Sequence, residues 1–169
     1  LTTRVIPWNN IPALEQALAP GDIACVLLEP VMTNIGIIHP DPGYHEALRA
    51  LTRKFGTLLI IDETHTMCAG PGGYTGEMGL EPDILTVGKA IASGVPAAVY
   101  GLSEEVGRMV SQSIKVDESD VGGIGGTLAG NALSLAAMRA TLEHTLNKET
   151  YAHTIPLAIR FTEGVKQVI

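Results

Sequence analysis

The sequence predicts an α/β fold with a mostly parallel sheet flanked by helices, and three observations carry that expectation. Short apolar runs of strand character recur at Asp22–Leu28, Thr57–Asp62 and Asp83–Lys89. Helical patterns alternate with them, as crossover connections require. Two of the runs also end in a charge: Thr57-Leu58-Leu59-Ile60-Ile61 leads to Asp62, and Ile84-Leu85-Thr86-Val87-Gly88 leads to Lys89.

The elements follow in order. Pro12 to Ala19 reads as a short helix before the first strand, a buried-type run that contains Cys25 and stops at Glu29-Pro30, where the chain turns. Asp41-Pro42 opens a helix whose apolar positions are Ala47, Leu48, Leu51 and Phe55, with Gly56 as its stop. That helix feeds the strand ending at Asp62. Gly70-Pro71-Gly72-Gly73-Tyr74 is expected to be a turn-rich loop over the strand ends, with Tyr74 either approaching a ligand or packing the loop. Pro96 to Gly101 reads as the next strand, and Ser103 to Ser111 as a capped helix with Glu104 and Glu105 in its first turn. Thr127 to Leu146 and Tyr151 to Ile169 read as two long amphipathic helices joined around Asn147-Lys148.

Composition bounds the function classes. At 169 residues, 46% of them hydrophobic and 17% charged, the chain fits one domain with a real core. A net charge of -7 argues against binding nucleic acid or an anionic membrane, both of which need clustered Lys and Arg. No apolar run approaches the roughly 18 residues of a membrane span, and no signal peptide is apparent. Cys25 and Cys68 make no disulfide framework, so a cytoplasmic protein is expected.

The strand ends carry the chemistry. Ligands of open α/β sheets bind beyond the carboxyl ends of the strands, so an acid and an amine at two such ends can face one molecule. That pair suits pyridoxal phosphate (PLP), which needs an amine for its Schiff base and a carboxylate beside its pyridine nitrogen. Lys89 is framed by Ile84, Leu85, Val87, Ala90 and Ile91, and burial there would favour the neutral, nucleophilic amine. The alternative is a strand-end lysine that reaches out to water. Gly122-Gly123-Ile124-Gly125-Gly126-Thr127 leaves backbone N–H groups open, and a helix starting at Thr127 would offer its N-terminus to a phosphate. It can also be read as a flexible loop with Thr127 as the helix cap. The glycines miss the G-x-G-x-x-G spacing of dinucleotide sites.

Leu58 to Thr64, Thr86 to Gly94 and Gly126 to Asn131 resemble three signature segments of the class III PLP-dependent aminotransferases, and Glu29 to Gly36 resembles a fourth. The resemblance implies the central part of the large domain of a fold-type I PLP-dependent transferase. The strand after the lysine is then expected to run antiparallel. Asp62 pairs with the pyridine nitrogen, Lys89 forms the Schiff base and carries the proton, and Thr64 lies against one ring face where members often have valine. His65 falls where some members place a glutamine that bonds the phenolic oxygen, although a plain loop role is open to it. Thr127 reaches the phosphate held by a partner subunit, which implies a homodimer with composite sites. Asn34, where other members carry a switching glutamate, favours the group of glutamate-1-semialdehyde aminomutase and the β-amino-acid aminotransferases. Glu29 is read as structural.

The implied activity is amino transfer between a small-molecule amino donor and a keto acceptor. The intramolecular aminomutase reaction is the alternative, and a non-catalytic module keeping the fold is the alternative of another class. A metal hydrolase built on Asp62, Glu63, His65 and Glu77 lacks a recognised zinc spacing. Residues 1–169 are expected to be a partial large domain, without the family's upstream phosphate-cupping segment or its C-terminal small domain.

Overall fold

In the computed structural model, which describes residues 2–113 and 125–169, a four-stranded sheet is built in the order β1 Cys25–Leu28, β2 Leu58–Asp62, β3 Ile84–Val87 and β4 Val99–Leu102. The first three strands are parallel and β4 is antiparallel to β3, as expected of the strand after Lys89. Helix α1 (Ile11–Leu18) is capped by Asn10, whose side chain accepts the Ala13 amide at 2.9 Å. Helix α2 (Tyr44–Lys54) is the crossover from β1 to β2, with Gly56 at φ 64° making the exit.

One face of the sheet holds the core. Leu14 and Leu18 of α1, Leu48 of α2, and Leu59 and Ile61 of β2 form its buried cluster, with Val26, Leu28, Leu51, Phe55 and Leu85 packed around them. Each fully buried side chain of this kind contributes roughly 1.5–3 kcal/mol. The first strand departs from the buried run expected of it. Successive side chains point to opposite faces, so Val26 and Leu28 reach the core while Cys25 and Leu27 lie exposed on the other side.

The remaining elements show two further departures. Thr66–Ala69 forms a 3-10 turn and Gly73–Met78 forms helix α3, where the sequence suggested only a loop. The cause is Glu63, buried beside β2, which accepts the amides of Tyr74 and Thr75 and the Thr66 hydroxyl. Gly73 fits this arrangement because its φ is +63° and a Cβ there would stand 2.9 Å from a Glu63 oxygen. Helix α4 spans Glu104–Ser113, with Ser103 as its cap.

Helix α5 (Ala132–His144) starts later than expected. Asn131 caps it by accepting the Ser134 amide at 2.9 Å, and Thr127 lies in the exposed turn before it. A side-chain acceptor in register with a free amide decides a helix start, and Asn131 supplies one. Helix α6 (Lys148–Lys166) is capped by Asn147 and is exposed apart from its first turns, where Tyr151 is buried. Residues 114–124, including the expected Gly122-Gly123-Ile124 part of the phosphate segment, lie outside the described residues.

Candidate active site at the strand ends

The carboxyl ends of β2 and β3 bring Asp62 and Lys89 to the same edge of the sheet. Asp62 is the register partner of Thr86, three positions before Lys89, and the Glu63 amide donates to the Thr86 carbonyl at 2.8 Å. The Thr64 amide turns back onto Asp62 Oδ1 at 2.8 Å. Partial burial opposes ionisation of Asp62. The hydrogen bonds of Thr64, the charge of Lys89 and the Thr86 hydroxyl outweigh it and hold the carboxyl below the usual carboxylate range.

Lys89 follows β3 at φ 47°, in the left-handed region that a side chain with a Cβ occupies at a cost of roughly 1–2 kcal/mol. It opens a 3-10 turn, Lys89–Ala92, that closes on Ser93, also at φ 47°. Helix α5 packs against this turn. The hydroxyls of Thr141 and Ser93 bond at 2.9 Å, and the Ser134 hydroxyl donates to the Pro96 carbonyl at 3.1 Å. Backbone held in a sparsely populated region by packing from outside is a feature that concentrates at functional sites.

The structure corrects one expectation about Lys89. Its side chain is exposed, at one wall of an open hollow of about 490 Å³ completed by Ala90, Gly94, Val95, Pro96 and Ala97. The apolar neighbours read from the sequence do not cover it, because Ile91 turns into the interior while Ala90 faces out. Asp62 is half-buried and does not line that hollow.

Thr64 stands between the two. A Cβ placed on Gly88 would lie 3.6 Å from both its methyl and its hydroxyl, so the Thr64 side chain rests beside the residue preceding Lys89. His65 sits on the far side of Asp62, where Nδ1 is 2.5 Å from the Thr33 hydroxyl and 3.6 Å from Glu29 Oε2. Among the described residues Thr127 makes no hydrogen bond to Asp62, Thr64, His65 or Lys89. Thr33 and Thr86 were missed in the sequence. Thr86 was accessible through the strand register, whereas Thr33 lies 32 positions from His65 and no local pattern joins them.

Comparison with known proteins places the chain in a family. The family model "Aminotransferase class-III" matches residues 6–167. The chain belongs to the class III aminotransferases. This family depends on PLP, and its mostly parallel sheet flanked by helices is the fold-type I arrangement that the sequence predicted.

Among class III relatives, glutamate-1-semialdehyde 2,1-aminomutase of Sorangium cellulosum (strain So ce56) is 40% identical over 168 residues, covering 98% of this chain and 37% of that protein. The crystal structure of a glutamate-1-semialdehyde-aminomutase from Pseudomonas aeruginosa PAO1 is 47% identical, with a TM-score of 0.90 over 96% of this chain and 37% of its own. A variant of it was solved in complex with PMP. A β-phenylalanine aminotransferase from Variovorax paradoxus superposes with a TM-score of 0.75 at 27% identity, over 88% of this chain and 34% of its own. The chain thus spans little more than a third of the proteins it matches. No helix among the described residues is long and apolar enough to cross a membrane.

Proposed function

We propose that residues 1–169 form part of the cofactor-holding large domain of an enzyme that uses PLP to move an amino group between an amino acid or amine and a keto acid or aldehyde. The observation that carries this is the placement of an ionised Asp62 and of Lys89, held in a left-handed backbone, at the ends of adjacent parallel strands. The donor set fits the cofactor. An ionised carboxylate suits a protonated pyridine nitrogen, and the amine suits the aldehyde carbon. Once bound, PLP supplies an electron sink for bond breaking at the carbon that bears nitrogen.

Each residue has a task in this reading. Asp62 holds the proton on the ring nitrogen. Lys89 attaches the cofactor and carries a proton between its own Nζ and the substrate carbon. Thr64 lies against one ring face, and its amide already bonds Asp62. His65 meets the phenolic edge, and Thr127 serves the phosphate bound by a second subunit. Two free thiols, Cys25 and Cys68, agree with a cytoplasmic location.

The aminomutase form of the reaction is the second reading, favoured by relatives of that name at 34 to 40% identity and a structure at 47%. It uses the same residues and needs no external acceptor. Borohydride reduction of the full-length protein with PLP, followed by peptide mass analysis, is expected to find the pyridoxyl group on Lys89; attachment at another lysine refutes the site. Product analysis with and without an added keto acid separates transfer from mutase.

A further inference from the structure

A hydrogen-bonded relay joins Glu29, Thr33 and His65 beside the proposed site, and the tasks above use only His65 of the three. The chain leaves β1 at Leu28, turns at Glu29-Pro30, and makes a narrow excursion closed by Met32 and Ile38, whose amides and carbonyls pair at 3.1 and 2.9 Å. Thr33 stands on this excursion. Its hydroxyl donates to Glu29 Oε2 and meets His65 Nδ1.

The proton count fixes the direction of the relay. A threonine hydroxyl has one hydrogen, and a carboxylate accepts only, so that hydrogen goes to Glu29. The Thr33 oxygen is then an acceptor toward His65, and Nδ1 must carry the proton. In the neutral ring the free lone pair belongs to Nε2. The side chains of Glu29 and His65 are 25% and 38% exposed, so the relay is partly shielded from water.

We propose that Glu29 and Thr33 are positioning residues that hold His65 as its Nδ1–H tautomer, leaving Nε2 as an acceptor for the phenolic oxygen of PLP. This rests on the cofactor reading given above. An acceptor at that oxygen favours its protonated, phenol form. Without the relay the ring is released to the other tautomer, whose Nε2–H favours the phenolate.

The experiment uses the full-length protein loaded with PLP, and reads the ratio of the phenol and phenolate absorption bands at one pH, alongside the borohydride adduct. Thr33→Val is expected to keep the adduct on Lys89 and to shift the ratio toward phenolate by about fivefold, the worth of one hydrogen bond. Thr33→Ser is expected to restore it, and in a His65→Gln background Thr33→Val is expected to change nothing. If Thr33→Val does not fold, Glu29→Gln is expected to give the same shift, since its amide can donate back to the hydroxyl. Unchanged bands with the adduct intact, or an equal shift without His65, overturn the proposal alone. Absence of any adduct on Lys89 in the unsubstituted protein overturns the cofactor reading and this proposal with it.

Discussion

Asp83 receives both arms of the Arg49 guanidinium, at 2.7 and 2.8 Å, and its Oδ2 also accepts the Leu59 amide at 2.7 Å. Its own amide donates to the Leu59 carbonyl at 2.9 Å, and its carbonyl accepts the Ser103 amide at 2.8 Å. One residue therefore ties α2 to the starts of β2 and β3 and to the end of β4, opposite the strand ends that carry Asp62 and Lys89.

The pair is largely buried, with side chains 18% and 13% exposed, so removing one partner strands the other. Arg49→Met is expected to lower unfolding stability by about 3–5 kcal/mol, measured by urea denaturation of the full-length protein. A loss under about 1 kcal/mol would mean that water replaces the guanidinium.

Acid should weaken the fold through two carboxyls. At Asp83, burial opposes ionisation but the Arg49 hydrogen bonds, the Leu59 amide and the charges of Arg49 and Arg53 prevail, and its carboxyl is held below the usual range. Asp62 is displaced in the same direction. Groups depressed on folding contribute stability above their unfolded pKa, about 4, and that stability is lost as pH falls through the lower folded values. Unfolding free energy is expected to be flat near pH 6 and to drop below about pH 4, with a shallower drop in Arg49→Met.

Glu63→Ala leaves the Tyr74 and Thr75 amides and the Thr66 hydroxyl without their buried acceptor. A cost of about 2–4 kcal/mol is expected, with faster proteolysis between residues 66 and 78. Glu63→Gln retains an acceptor and is expected to lose less. Equal stability in all three proteins would show that α3 holds without Glu63.

The Tyr151 hydroxyl donates to the Met67 carbonyl at 2.8 Å and pins α6 to the segment after His65. Tyr151→Phe is expected to cost about 1 kcal/mol and to speed amide exchange in the 3-10 turn around Met67. Unchanged exchange there would show that α6 is held elsewhere.

Asp62→Asn removes the charge while keeping the size and the Thr64 contact. Under the proposed function it should leave the Lys89 adduct in place and lower turnover by about a hundredfold or more, read as kcat of the loaded enzyme. Turnover within a few-fold of the parent would discard the role assigned to Asp62.

Much of this was legible in the residues. The runs into Asp62 and Lys89 are the observed β2 and β3 with their charged ends, and α2 appears where its apolar spacing placed it. Helix α3 was not legible, since the acceptor of its first amides is Glu63, 11 positions before Tyr74. The start of α5 was misread because Thr127 and Asn131 are both capable caps, and backbone geometry chose the second. The exposure of Lys89 was hidden for a different reason: apolar neighbours in sequence do not say which of them turn toward the side chain.

The sequence by itself determined the strand order along the chain and the acid and amine at two strand ends. Those features depend on periodicity and capping over a few residues, where the chain has little freedom. Only the tertiary structure decided that Arg49 reaches Asp83 across 34 positions and that Thr33 reaches His65 across 32. Such pairs form where strand register and crossover length bring two polar groups within hydrogen-bond distance, a condition set by the packed sheet rather than by either residue's neighbours.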